Sequence, residues 1–219
     1  MITAATALPL LALRITAGPV ELRGITDDLL GPLAELALSG IHDPDLMPFS
    51  APWTLVPAAD LPRNFAQFHW GRRAQFSPGM WSAELAVSWE GELVGTQGMM
   101  TSEYLVTRTA ETGSWLGRRF QGRGIGTAMR QVICAFAFDH LDAACVTSGA
   151  FTDNPASLAV SKKVGYTENG AERLARLGKP AIIQKVALTP ENLVRYEHPL
   201  VIEGLPAFRR SIGLDAPTD

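Results

Sequence analysis

The chain has 219 residues, 47% of them hydrophobic, with 19 Lys and Arg against 22 Asp and Glu for a formal net charge of -3. That length supplies one sizeable core with extensions and leaves two full domains cramped. The mild acidity repels a nucleic-acid backbone, so no nucleic-acid partner is expected and any anion site must be local. No apolar run approaches the ~18 residues that a membrane span needs. The apolar start MITAATALPLLALRI lacks a basic leading segment, and Cys134 and Cys145 read as two reduced cysteines of an intracellular, cytoplasmic protein.

Taken in chain order, LLALRI and VELRGI form two short strands joined at TAGP, where Gly18 and Pro19 supply turn chemistry. TDDLLGPLAELALSG is a helix with Thr26 as N-cap, Asp27 and Asp28 in the first turn, and Gly40 at its end. Residues 42–57, HDPDLMPFSAPWTLVP, carry four prolines and no periodicity, the mark of a long loop. A second helix follows over Leu61 to Phe76. WSAELAVSWEGELVGTQGMM is then a hairpin turning at Glu90-Gly91, and a further strand runs from about Leu105 to Leu116.

The next nine residues, RRFQGRGIG (118–126), hold three arginines and three glycines. Behind them Ile125, Ala128, Met129, Val132, Ile133, Phe136 and Ala137 recur at helical spacing with one face buried. The glycine loop therefore sits between a strand and a helix N-terminus, where unpaired amides and the positive end of the helix dipole favour a phosphate or pyrophosphate. The G-x-G-x-x-G dinucleotide fingerprint fails at Thr127 and Met129, and a Walker loop fails because Thr127 and Ala128 follow Gly126. A short apolar strand, AACVTSGAF, and then TDNPASLAVSKKVGY come after the helix.

Gln121-x-x-Gly124-x-Gly126 resembles the acyl-CoA pyrophosphate loop of the Gcn5-related N-acetyltransferase (GNAT) superfamily. Asn154, Ser157, Lys163, Gly165 and Tyr166 match that family's second signature, in the family's order. AETGSWLGRRFQGRGIGTAMR is similar to the RimJ/RimL-like branch, and GIHDPDLMPFSAPWT to actinobacterial acetyl- and succinyltransferases. The resemblance implies a mixed α/β (α+β) GNAT fold: a central, mostly antiparallel sheet of about seven strands, splayed at a central V and flanked by helices. It implies an acyltransferase domain over residues 9–188 with a C-terminal extension, 189–219, packing on the domain or on a second subunit, so that a homodimer stays open. The cofactor implied is acetyl-CoA or another short acyl-CoA, with succinyl-CoA included, and no metal.

The same resemblance distributes roles. Backbone amides at Trp115, Leu116 and Gly117 are expected to meet the pantetheine arm and thioester oxygen. Amides from Arg119 to Gly126, which include Gln121, Gly122, Arg123, Gly124 and Ile125, with Thr127 beside them, are expected to hold the pyrophosphate. Arg118, Arg119, Arg123 and Lys162 are the outer phosphate candidates, and Asn154 the pantetheine contact. Glu111 is the candidate general base, directly or through water. The family's usual tyrosine acid is Ser161 here, which moves the thiolate-facing role to Ser157. Phe49, Trp53, Trp70 and Trp81 are expected to shape the acceptor pocket, with ordinary core packing as the alternative. The acceptor is a small-molecule or peptide amine, acylated by direct attack in a ternary complex. A non-catalytic acyl-CoA-binding module or sensor would keep the loop yet need neither Glu111 nor Ser157.

Overall fold

In a computed structural model, which describes residues 2–216, the strand patterns build a single nine-stranded sheet. The strands are β1 (Arg14–Ala17), β2 (Val20–Gly24), β3 (Met80–Trp89), β4 (Glu92–Ser102), β5 (Thr109–Leu116), β6 (Cys145–Phe151), β7 (Thr167–Arg176), β8 (Lys179–Leu188) and β9 (Val201–Glu203). They lie in the order β7-β8-β6-β5-β4-β3-β2-β1-β9. Every named pair is antiparallel except β5–β6. The helices are α1 (Ala4–Ala7), α2 (Asp27–Leu38), α3 (Leu61–Ala74), α4 (Tyr104–Thr107), α5 (Ile125–His140), α6 (Pro155–Val164) and α7 (Leu205–Ser211). None of those described is long and apolar enough to cross a membrane.

The period-two alternation of the strands sorts the core into two faces. Leu85 and Val87 on β3 join the cluster around α5, while Ala86 between them packs under α2 and α3 with Leu29, Leu33 and Phe65. The 42–57 loop, containing a 3-10 turn at Trp53–Leu55, connects α2 to α3 on that second face.

Three elements depart from the sequence expectation. Residues Pro9–Ala12 form a 3-10 turn and the first strand starts only at Arg14, because Pro9 is set for a helical start. The strand expected from Leu105 begins at Thr109. Ahead of it, α4 is one helical turn anchored by Tyr104, whose buried hydroxyl donates to the Leu141 carbonyl at 2.9 Å. The sheet has nine strands rather than about seven, partly because β9 adds to the β1 edge through Arg14↔Glu203, Ile15↔Ile202 and Thr16↔Val201. Three residues are too few to show a period. Residues 217–219 of the extension lie outside the described residues.

β5 stays paired with β4 as far as Leu116 opposite Gly95, but it pairs with β6 only at Thr109↔Cys145, Ala110↔Val146 and Glu111↔Thr147. Beyond Glu111 the two strands part, and the resulting V opens toward the loop ahead of α5.

Two predictions follow from this packing. Phe208 on α7 is fully buried, with its ring centroid 5.7 Å from that of Trp81 and 6.4 Å from those of Phe76 and Phe136. Phe208→Ala should cost about 3–5 kcal/mol, read as a lowered urea midpoint. His69 on α3 is 4% exposed, with Phe65 and Phe68 at 4.5 and 5.1 Å, and burial, helped by the Arg73 charge, pushes its pKa down from 6.5 to about 4. Between those values the unfolded chain holds more protons than the folded one. Stability from this site is therefore complete above pH 6.5 and falls by up to about 3 kcal/mol as the pH drops through 4. His69→Phe should lose that segment of the stability–pH curve, and chemical denaturation at pH 7 and pH 4.5 measures it.

Candidate active site

The glycine loop delivers its amides to the mouth of the V. After the turn Arg118–Phe120, Gly122 (φ +73°) and Gly124 (φ +84°) take left-handed backbone that only glycine adopts freely, and Gly124 caps α5 with no side-chain bond. The amides of Gly122, Arg123, Gly124, Ile125 and Gly126 donate to no backbone carbonyl among the described residues. Nothing stands within 4 Å of a Cβ built on Gly122 or Gly124, so the cradle is open on that side. Not every expected amide is free. Phe120 and Gln121 donate to the carbonyls of Gly117 and Arg118, while Thr127 turns back to Gly124. The Gln121 side chain is committed as well, donating to the Ile41 and Leu116 carbonyls at 2.5 and 2.9 Å. It ties the loop to the end of β5.

Two of the rim arginines already have partners: Arg118 pairs with Asp43 at 3.6 Å, and Arg119 with Glu92 at 3.1 Å. Both pairs are exposed and hold little energy. Arg123, set over the Phe120 ring at 6.0 Å, has no ion pair among the described residues and is the uncommitted cation of the rim.

Strand register corrects which β5 amides face the V. Gly117 donates to the Val94 carbonyl at 2.9 Å, so antiparallel alternation turns Trp115 and Gly113 toward β4 as well, and Leu116 and Ser114 toward β6. Past the last β5–β6 pair, Ser114 and Leu116 are the residues whose backbone lines the gap.

Arg130 spans that gap from below, a residue whose role the sequence reading missed. It is 5% exposed on α5 and donates to the Ser114 hydroxyl at 2.9 Å and the Ser148 hydroxyl at 3.1 Å, joining one arm of the V to the other. The available signal was its chemistry: it is the one charged residue between Arg123 and Asp139 on an otherwise apolar helix. Beside it Tyr166 contacts the Thr112 hydroxyl at 3.0 Å and the Cys134 thiol at 3.3 Å, and burial pushes the tyrosine and the thiol to high pKa, the thiol to about 11. Cys134 is thus a protonated core group.

Across the V, α6 starts at Asn154, whose side-chain oxygen caps the helix by accepting from the Ser157 amide at 3.2 Å. Ser157 is half-buried in the first turn with its hydroxyl free of any protein partner among the described residues. Ser161 is buried and donates back to the Ser157 carbonyl. Lys162 is exposed in the last turn, near Val160, which would lie 3.6 Å from a Cβ on Gly126.

Two cavities open on the α2–α3 face. A polar one of about 560 Å³ is lined by Glu111, Thr109, Thr147, Ser82, Trp81 and Arg72, among others. An aromatic one of about 260 Å³ is lined by Phe49, Trp53, Phe65, Phe68 and Trp115, with Ser114, Gly113 and Glu84 in its wall. Phe49 and Trp53 thus meet in one pocket. Trp81 lines the other and is 2% exposed, packed edge-on against Tyr104 and Phe208. Trp70 lines neither cavity; half exposed, it donates to Asp27 at 3.1 Å on the outer side of α3. Glu84 was not singled out by the sequence, where it sits inside an apolar strand. Burial pushes its carboxyl up, against the Ser82 hydroxyl that donates to it at 2.7 Å and the charge of Arg72. Among the described residues no group of three or more His, Cys, Asp and Glu is placed to hold a metal ion.

The comparisons agree with this fold. The Bacillus subtilis (strain 168) protein "Putative ribosomal N-acetyltransferase YdaF" is 32% identical over 90 residues, 41% of this chain. That match spans 49% of the relative, about half its length. Mycobacterium smegmatis RimJ in complex with CoA-disulfide has a similar fold, with a TM-score of 0.67 at 22% identity over 84% of this chain and 88% of that one. So has RimL, the ribosomal L7/L12 alpha-N-protein acetyltransferase in complex with coenzyme A, with a TM-score of 0.64 at 18% identity over 78% of this chain and 94% of that one. A family model described as an acetyltransferase (GNAT) domain matches residues 20–167, from the start of β2 through the V and both signatures to the start of β7, and the chain belongs to the GNAT acetyltransferase family.

Proposed function

We propose that the protein is an acyl-CoA-dependent N-acyltransferase that moves an acetyl group to a primary amine of a small molecule or peptide by direct attack in a ternary complex. The observation that carries this is the set of five unpartnered amides from Gly122 to Gly126, delivered by the α5 N-terminus to the mouth of a V whose inner edge is unpaired strand. Bound acyl-CoA supplies an activated thioester carbon. The chain's part is to hold it. The loop amides and Arg123 suit the diphosphate, Leu116 and Asn154 the pantetheine amides, and Ser114 the thioester oxygen. One amide donor on the developing oxyanion contributes about 3 kcal/mol in comparable acyl transfers.

Glu111, exposed on β5 and lining the polar cavity, takes the amine's proton through water, and the free Ser157 hydroxyl donates to the departing sulfur. Succinyl-CoA stands as a second donor, on the resemblance of the 40–54 segment to succinyltransferases. A cytoplasmic location is the reading that suits an acyl-CoA donor.

Parallel calorimetric titrations with CoA, acetyl-CoA and succinyl-CoA test the reading: micromolar binding of at least one supports it, and no binding of any overturns it. Gly124→Asp puts a carboxylate in front of the open amides and should weaken binding more than about 100-fold, with the circular dichroism spectrum unchanged. Glu111→Gln should leave binding intact and lower kcat by about 100-fold or more, which stopped assays of acetyl transfer would read.

A further inference from the structure

The aromatic cavity has a chemistry of its own. The Trp53 centroid lies 5.4, 6.1 and 5.9 Å from those of Phe49, Phe65 and Trp115, so several rings enclose one small space. At about 260 Å³ it falls below the roughly 300 Å³ at which drug-sized pockets begin. Into this wall the fold sets one carboxylate, Glu84, whose sole hydrogen-bond partner among the described residues is the Ser82 hydroxyl, and which has no ion pair. Arg72 acts on it only from a distance.

A carboxylate half withdrawn from water and left without a cation is costly, and ring faces attract cations. Both features ask for the same ligand, an ammonium group.

The sheet register shows that the arrangement is built. Glu84 on β3 is opposite Gly98 on β4, and Gly98 is opposite Gly113 on β5. A Cβ on Gly98 would come within 2.8 Å of Glu84 Oε2, so glycine there is what lets the carboxylate lie across the strand. A Cβ on Gly113 would meet nothing nearer than 4.0 Å. The carboxylate therefore faces β5 across two residues without side chains, in the cavity that also includes Ser114.

We propose that this pocket is the acceptor site, that it takes a small primary monoamine on an aromatic or aliphatic body with no second charge of its own, and that Glu84 binds the ammonium and removes its proton. The inference rests on the acyltransferase reading above. The ammonium gives one proton to Glu84, and the freed nitrogen lone pair forms the C–N bond to the thioester carbon. The C–S bond then breaks: Glu111, through water, takes the second N–H proton, and the sulfur leaves as the CoA thiol with the Ser157 hydroxyl proton, which that water restores to the serine. Ser82, bonded to Glu84 and lining the polar cavity with Glu111, gives the first proton a way out.

The test uses purified protein, acetyl-CoA and three probes, 2-phenylethylamine, phenylalanine and spermidine, with release of CoA thiol as the readout. Phenylethylamine should be turned over at least 10-fold faster than phenylalanine or spermidine. Glu84→Gln should lower kcat for it by about 100-fold and move the acid limb of the pH–rate profile. The other charged groups nearby, His69 and Arg72 on α3 and Glu111 in the adjoining cavity, are unchanged in that variant. Trp53→Leu, which leaves the carboxylate in place, should raise KM for the amine with little change in kcat, and it serves if the Gln variant does not fold. An unchanged rate and pH profile in Glu84→Gln overturns the proposal. So does a preference for phenylalanine, turnover of none of the probes, or a variant that changes only acyl-chain choice between acetyl- and butyryl-CoA. Wild-type protein that binds no acyl-CoA would instead remove the reading beneath it.

Discussion

The parting of β5 from β6 after three paired residues is the constraint on which the molecule is organised. A sheet that opens in its middle leaves backbone donors and acceptors without partners, and unmet polar groups cost more the better they are shielded from water. The fold spans this defect with a buried arginine. Arg130 holds a serine on each arm and pairs with no carboxylate among the described residues, so the gap between the strands is both propped and positively polarised. The α5 dipole adds to the same field from the open end. An extended, amide-bearing, anionic ligand is the complement of that edge in shape, hydrogen bonding and charge together.

The opposite face is governed by side-chain size. β3, β4 and β5 run side by side there, and where they carry Glu84, Gly98 and Gly113 the surface drops to backbone level, with the aromatic residues of α3 and the 42–57 loop closing over it. The long loop is held down from both ends. His42 bonds Thr54 at 2.8 Å across it, and Arg176 at the end of β7 donates to the Met47 carbonyl at 3.1 Å. Proline-rich sequence without periodicity thus becomes an ordered roof.

Much of this was legible in residue order. The glycine loop, its strand and helix neighbours, the Glu90-Gly91 hairpin and the α2 boundaries follow from local chemistry, since turn residues and helical spacing report on the backbone directly. The family signatures implied the V, which the three-residue pairing of β5 with β6 displays. What stayed hidden depends on distance across the sheet. That Ser114 rather than Gly117 faces the gap is a matter of register, and register is set by a partner strand about twenty residues away. Glu84 looks like one polar residue in an apolar strand until Gly98 is placed opposite it. Trp70 and Trp53 are indistinguishable by type, yet one points to Asp27 and solvent and the other into the pocket.

The tail has a consequence for how the protein is made. β9 pairs with β1, bringing Glu203 beside Arg14, and α7 then lays Phe208 against Trp81 and Phe136. Trp81, Phe136 and Phe208, far apart in the sequence, thus share one hydrophobic contact. Contacts of such sequence separation form late and slow folding. During synthesis every earlier strand emerges while the indole of Trp81 still lacks its cover and the β1 edge is still unpaired, an exposed strand of the kind other chains readily add to. The rate at which residues 201–212 follow the rest therefore sets how long that edge and that indole stay uncovered.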